Sequence, residues 1–151
     1  MNLLLVGASR GLGLAMAAEF LKKGWSVVGT VRGSARTKLH DLADEYEGRV
    51  EIQSLDITEP DQIAALHERL SGRSFDVLFV NAGTANANDE PIADVSTQEY
   101  ARVMVTNALS PMRVIEKLQH LVSPKGMIGI MSSGQGTTRH DNKAYDSRPS
   151  A

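Results

Sequence analysis

Short apolar runs alternate along this chain with stretches in which apolar residues recur every three or four positions, the periods of buried strands and amphipathic helices. Leu3 to Val6, Trp25 to Val31, Val50 to Leu55, Phe75 to Val80 and Met127 to Met131 read as strands. The continuous Val77-Leu78-Phe79-Val80 has the pattern of a strand covered on both faces. Helical spacing predicts one helix through Leu14, Ala17, Ala18 and Leu21, a second through Leu39, Leu42 and Tyr46, and a third through Ile63, Leu66 and Leu70. A long fourth runs from Ser96 to Leu121, with Val103, Ala108, Met112, Ile115 and Leu118 among its apolar positions. Lys22-Lys23-Gly24 stops the first helix, Ser34 caps the second, Gly48 ends it, and Thr58 with Asp61 opens the third. Pro111 lies inside the fourth, and because it has no N–H the carbonyl of Asn107 loses its helical donor. Strands alternating with helices in this way predict an α/β fold, a doubly wound parallel sheet of about five strands with right-handed crossovers.

Composition narrows what such a domain can do. The 151 residues suit one domain with a real core, and 42% hydrophobic with 23% charged residues is ordinary for a globular chain. A net charge of −2 and a pI near 6.1 argue against nucleic acid or an anionic membrane as partner and leave a small ligand. With no cysteine there is no disulfide, thiolate metal site or cysteine nucleophile. His40, His67, His120 and His140 share no ligand spacing, so no metal is expected. The first apolar run is too short for a membrane or signal segment, which suggests a cytoplasmic protein.

The candidate chemistry begins at the first strand end, where Val6 flows into Gly7-Ala8-Ser9-Arg10-Gly11-Leu12-Gly13 and then into a helix. A strand, a glycine turn and a helix together aim backbone N–H groups and a helix dipole at phosphate. Gly7, Gly11 and Gly13 suit the sharp turn, the close approach to an anion and the tight packing of helix on strand. Arg10 can bind a phosphate or stay solvated; Asp56 can cap the next helix or face a ligand at the carboxyl edge of the sheet. Asn81 and Asn107 can equally satisfy buried backbone groups, and Tyr145 can be a surface aromatic.

With these landmarks in order, the sequence from Asn2 to about Gly136 resembles the short-chain dehydrogenase/reductase family, its C-factor-like or carbonyl-reductase-like branches in particular. Gly7, Ser9, Arg10, Gly11, Leu12 and Gly13 look like that family's cofactor turn, Asp56-Ile57 like its adenine contact, and Asn81-Ala82-Gly83 like its Asn-Ala-Gly signature behind the cofactor. Asn107 matches the asparagine of its catalytic tetrad, Met131-Ser132-Ser133 its serine segment with Ser133 the better candidate, and Tyr145 its tyrosine. The resemblance implies a Rossmann domain over residues 1–133, with an irregular or mobile tail over 134–151 that has only Ala144, Tyr145 and Ala151 as apolar residues.

It also implies an oxidoreductase moving hydride between NADP(H), in preference to NAD(H), and a small carbonyl or alcohol. Arg32 at the second strand's end, with Arg10, favours the 2′-phosphate, where an acid would repel it. One departure stands out: the family's lysine four residues beyond the tyrosine is replaced by Pro149, and the C-terminal part of the family fold is missing from this chain. A catalytically silent nucleotide-binding or interaction protein, or a shortened fragment of a reductase, is therefore the alternative reading. An uncovered flank of the sheet predicts a homo-oligomer.

Overall fold

A computed structural model describes residues 1–85, 91 and 93–132. Strands β1 (Asn2–Val6), β2 (Ser26–Val31), β3 (Val50–Ser54), β4 (Phe75–Val80) and β5 (Val122–Ile130) form one parallel sheet in the order β3-β2-β1-β4-β5. Helices α1 (Gly11–Lys22), α2 (Lys38–Glu45) and α3 (Pro60–Arg69) link the first four strands. The last crossover is built from α4 (Thr97–Met104), a π turn (Val105–Leu109), α5 (Ser110–Leu118) and a 3-10 turn (Gln119–Leu121). The chain steps outward from β1 to β3 and then crosses back to β4, so the strand order reverses between β1 and β4. In a doubly wound sheet, ligands bind at the carboxyl ends of the strands at that reversal.

β1 is apolar throughout because both of its faces are covered. Leu3 and Leu5 pack with Val27, Val31, Ala17 of α1, Leu21 and Leu39 of α2, whereas Leu4 and Val6 pack with Leu78, Val80, Ile63 and Leu66 of α3, and Val114 and Leu118 of α5. The leucines among these are fully buried, each contributing about 2 kcal/mol of transfer free energy.

The predicted strands and the first three helices are present with different ends, and the predicted fourth helix is divided into two. Thr37, not Ser34, caps α2: its hydroxyl accepts from the N–H of His40, and His40 Nδ1 accepts from the Thr37 N–H at 3.0 Å, a closed capping box. α3 starts from Glu59 with Pro60 in its first turn, while the Thr58 N–H and hydroxyl turn back onto the Asp56 carboxylate. Ser96 does cap α4, accepting from the Glu99 N–H at 3.1 Å.

The long fourth helix is interrupted. The Ser110 N–H donates to the Val105 carbonyl five residues back, immediately before Pro111. Pro111 leaves Asn107 without its four-residue donor, and the shifted Ser110 bond leaves Thr106 without a helical donor as well, so the widened turn and the proline coincide. β5 begins at Val122 rather than Met127. Its register on β4 jumps from Phe75↔Val122 to Val77↔Met127, so Ser123 to Gly126 bulge out. Pro124 is tolerated there because, among the described residues, β5 pairs only with β4.

Candidate functional site

Parallel strands all end on one edge, and that alone brings the sequence-predicted residues together. The β1–α1 turn (7–13), Arg32 after β2, Asp56-Ile57 after β3 and Asn81-Ala82-Gly83 after β4 share the carboxyl edge. Val6 ends β1 by accepting from the N–H groups of both Asn81 and Ala82 at 2.9 Å. Gly7 then turns the chain at φ +89°, where a Cβ would lie 2.7 Å from the Ala82 backbone. The Gly7 N–H donates to Thr30 Oγ1 at 3.0 Å, its carbonyl accepts from Asn81 Nδ2 at 2.8 Å, and the Ala8 N–H donates to the Thr30 carbonyl at 2.8 Å. At Gly13 a Cβ would overlap the Gly7 carbonyl and approach Asn81 Nδ2 to 2.6 Å. Glycine at these two positions is what lets α1 start against the end of β1.

Arg10 is the N-cap of α1 and offers no side-chain cap, and the first helical bond runs from the Leu14 N–H to the Arg10 carbonyl. The N–H groups of Ser9, Arg10, Gly11, Leu12 and Gly13 therefore have no acceptor among the described residues. Five free donors at the positive end of a helix are an arrangement that attracts an anion. The Arg10 and Arg32 side chains are exposed, and neither has a carboxylate partner among the described residues.

At the end of β3, one oxygen of Asp56 accepts from the Thr58 N–H at 2.9 Å and the Thr58 hydroxyl at 2.7 Å. Burial pushes this carboxyl up, but the Thr58 donors and the nearby Arg32 charge outweigh it and hold the group below the ordinary carboxylate range. Its second oxygen has no partner among the described residues. The adjacent Ile57 buries its side chain in the core, and its N–H likewise has no acceptor there. An acceptor beside a donor is the pattern that an amino-substituted purine edge matches.

The Asn107 side chain is committed to the backbone. Its Oδ1 accepts from the Thr84 N–H at 2.8 Å and its Nδ2 donates to the Thr84 carbonyl at 2.7 Å, which fastens the π turn to the loop after β4. Arg102 reinforces that loop through Thr84 Oγ1 at 3.3 Å and the Ala85 carbonyl at 3.4 Å while pairing with Glu99. Ser132 lies exposed just past the end of β5. Ser133 and Tyr145, and the tail predicted over 134–151, lie outside the described residues.

Sequence reasoning missed Thr30. Its signal was a polar residue in the otherwise apolar run 27–31, two residues before Arg32.

A glycine turn between β1 and α1, at the reversal point of a doubly wound parallel sheet, defines the class, a Rossmann domain. Residues 7–147 match a family model described as Enoyl-(Acyl carrier protein) reductase. The fold is similar to that of a short-chain dehydrogenase/reductase from Burkholderia multivorans solved with bound NADP: 61% identity, TM-score 0.89, covering 93% of this chain and 62% of that one. It is also similar to a carbonyl reductase from Pseudomonas aeruginosa in complex with NADP, with 35% identity, TM-score 0.80, 87% of this chain and 60% of that one. In sequence it is 31% identical to the NADPH-dependent pterin aldehyde reductase of Arabidopsis thaliana, over 89% of this chain and 57% of that protein. The chain belongs to the short-chain dehydrogenase/reductase family of oxidoreductases. It spans about half the length of the curated relatives it matches. Among the described residues no helix is long and apolar enough to cross a membrane.

Proposed function

We propose that the chain binds NADP(H) along the carboxyl edge of its sheet and moves hydride between the nicotinamide and a small carbonyl or alcohol. The observation that carries this reading is the row of unpaired N–H groups from Ser9 to Gly13 at the start of α1. The residues present fit the cofactor. That row would take the diphosphate, the free Asp56 oxygen and the Ile57 N–H the adenine, and Asn81, Ala82 and Gly83 would form the wall behind it. Arg10 and Arg32 would take the 2′-phosphate, and the NADP-bound relatives support that preference. Fluorescence titration tests it: NADPH is expected to bind about tenfold or more tighter than NADH, and Arg32→Asp to reverse the order. Equal or tighter NADH binding by the unaltered chain overturns the assignment.

Bound NADPH supplies the hydride, so the chain must supply the proton. In this reading Ser133 polarises the carbonyl, Tyr145 donates the proton and Asn107 holds the neighbouring loop. A tyrosine has an ordinary pKa of about 10, and Pro149 brings no cation to lower it. Oxidation, which needs the phenolate, suffers from this more than reduction, which needs the phenol. Slow NADPH oxidation is therefore expected with reactive aldehydes and diketones, and it should be lost in both Ser133→Ala and Tyr145→Phe. Turnover unchanged by these substitutions would remove both residues from the mechanism.

A further inference from the structure

The peptide that begins the glycine turn is held from three sides, and two of the grips come from one residue of the neighbouring strand. Thr30 is 1% exposed in the middle of an apolar sheet and has no contact with solvent that would explain a hydroxyl there. Its Oγ1 accepts from the Gly7 N–H at 3.0 Å and its carbonyl from the Ala8 N–H at 2.8 Å. Opposite, Asn81 Nδ2 donates to the Gly7 carbonyl at 2.8 Å, and the Gly7 Cα sits against the Ala82 backbone.

The consequence is a division of labour along the turn. The strand-to-strand ladder that pairs Leu5 with Gly29 cannot continue through Gly7, whose φ of +89° takes the chain out of the extended region. A side chain therefore replaces the missing backbone acceptor. With the N–H groups of residues 7 and 8 consumed by Thr30, the next five, from Ser9 to Gly13, are left without acceptors among the described residues. Without the hydroxyl, the Gly7 N–H would be a donor without a partner inside the fold, and the peptide would gain by rotating toward water. Gly7 is free to rotate as no other residue would be.

We infer that Thr30 is a positioning residue for dinucleotide binding: its hydroxyl, never touching the ligand, fixes the Gly7 peptide so that the following N–H groups converge on the diphosphate. The inference rests on the proposed NADP(H) reading, and it concerns only the part of the ligand that the turn would grip. Threonine at this place is thus a component of the anion site reached through the neighbouring strand, and valine, its isostere, is the informative replacement.

The experiment compares Thr30→Val and Thr30→Ser with the unaltered chain, using NADPH and adenosine 2′-monophosphate as separate probes. The second probe carries the adenine and the 2′-phosphate but no 5′-phosphate for the turn to hold. Thr30→Val is expected to weaken NADPH binding about tenfold and leave the 2′-monophosphate unchanged, while Thr30→Ser keeps both affinities. In the free protein the Gly7 amide should exchange slowly with deuterium in the unaltered chain and in Thr30→Ser, and rapidly in Thr30→Val. Equal NADPH affinity in Thr30→Val, or equal weakening toward both probes, overturns the inference. Should Thr30→Val not fold, rapid Gly7 exchange in the unaltered chain overturns it and slow exchange restored by serine supports it. An unaltered chain that binds neither probe defeats the NADP(H) reading itself, a result distinct from every other.

Discussion

Gly13 shows how little room single atoms leave at this edge. A Cβ there would overlap the Gly7 carbonyl and meet Asn81 Nδ2 at 2.6 Å, so Gly13→Ala must push helix from strand or break the Asn81 bond. An unfolding loss of about 3 kcal/mol is expected, together with loss of NADPH binding. Gly24 makes the control: its φ is +83° but nothing lies within 4 Å of a Cβ, so Gly24→Ala should cost only backbone strain, about 1 kcal/mol, and leave binding intact. Denaturant unfolding beside cofactor titration separates the two. Asp56 adds a pH-dependent term with a definite sign. Because the Thr58 donors hold its carboxyl below the ordinary 3.8, its contribution to stability is complete above 3.8 and is lost as pH falls through the lower folded value. Thr58→Val removes one of those donors, so its stability deficit should be present near about pH 6 and should narrow near about pH 3. A deficit that stays constant with pH would mean that Thr58 acts independently of the Asp56 charge. At this scale the sequence was informative where the backbone demands a residue type, as at Gly7 and Gly13. Thr30 was marked only as a polar residue in an apolar run, because a buried hydroxyl acquires its purpose only when β2 lies beside β1.

The elements were legible from periodicity because each strand of the centre is buried on both faces and α1, α2, α3 and α5 each bury one. Their ends were not, since several cap residues compete within a few positions and packing decides among them. Between Val31 and Leu39 the chain offers Ser34 and Thr37, and only Thr37 has a partner three residues on, His40, that can accept its N–H in return. Thr37→Ala is accordingly expected to cost about 1 kcal/mol, while Ser34→Ala stays within about 0.5 kcal/mol in the same unfolding measurement. The opposite order would return the cap to Ser34. The start of β5 was hidden for another reason. Ser123-Pro124-Lys125-Gly126 reads as a turn, whereas in the sheet it is a bulge whose Gly126 leaves no space for a Cβ between Val122 and the Asp76 carbonyl. Pro111 announced an irregular helix, but that the irregularity is a π turn carrying Asn107 toward Thr84 depends on the loop it meets. Ser133 and Tyr145, read from resemblance, lie outside the described residues and stand on sequence alone.

For the molecule as a whole, the burial of the sheet is lopsided, and that asymmetry predicts how copies of the chain behave. β1 is sealed on both faces, yet β5, paired only with β4 among the described residues, exposes Met127 at 67% along with Ile128 and Ile130, and Met131 just after it is exposed too. The last crossover adds Tyr100, Met104, Val105, Leu109 and Met112, the last at 61% exposure, with Val105, Leu109 and Met112 at the spacing of a single helix face. An apolar stripe beside a strand edge with unpaired N–H and C=O groups is the combination that other chains add to. The net charge of −2 is too small to hold copies apart. Self-association is therefore expected, seen as a mass above the monomer in sedimentation velocity and as binding of an apolar dye that falls as the concentration rises. Met112→Lys and Met127→Lys place charge on both parts of this surface at largely exposed positions, so each should shift the chain toward monomer without lowering its unfolding midpoint. Neither residue is among those assigned to the cofactor, so NADPH binding is expected to survive in both. A monomeric unaltered chain at high concentration, with no dye binding, would refute the association. Loss of cofactor binding together with dimerisation would show instead that the anion site depends on the partner.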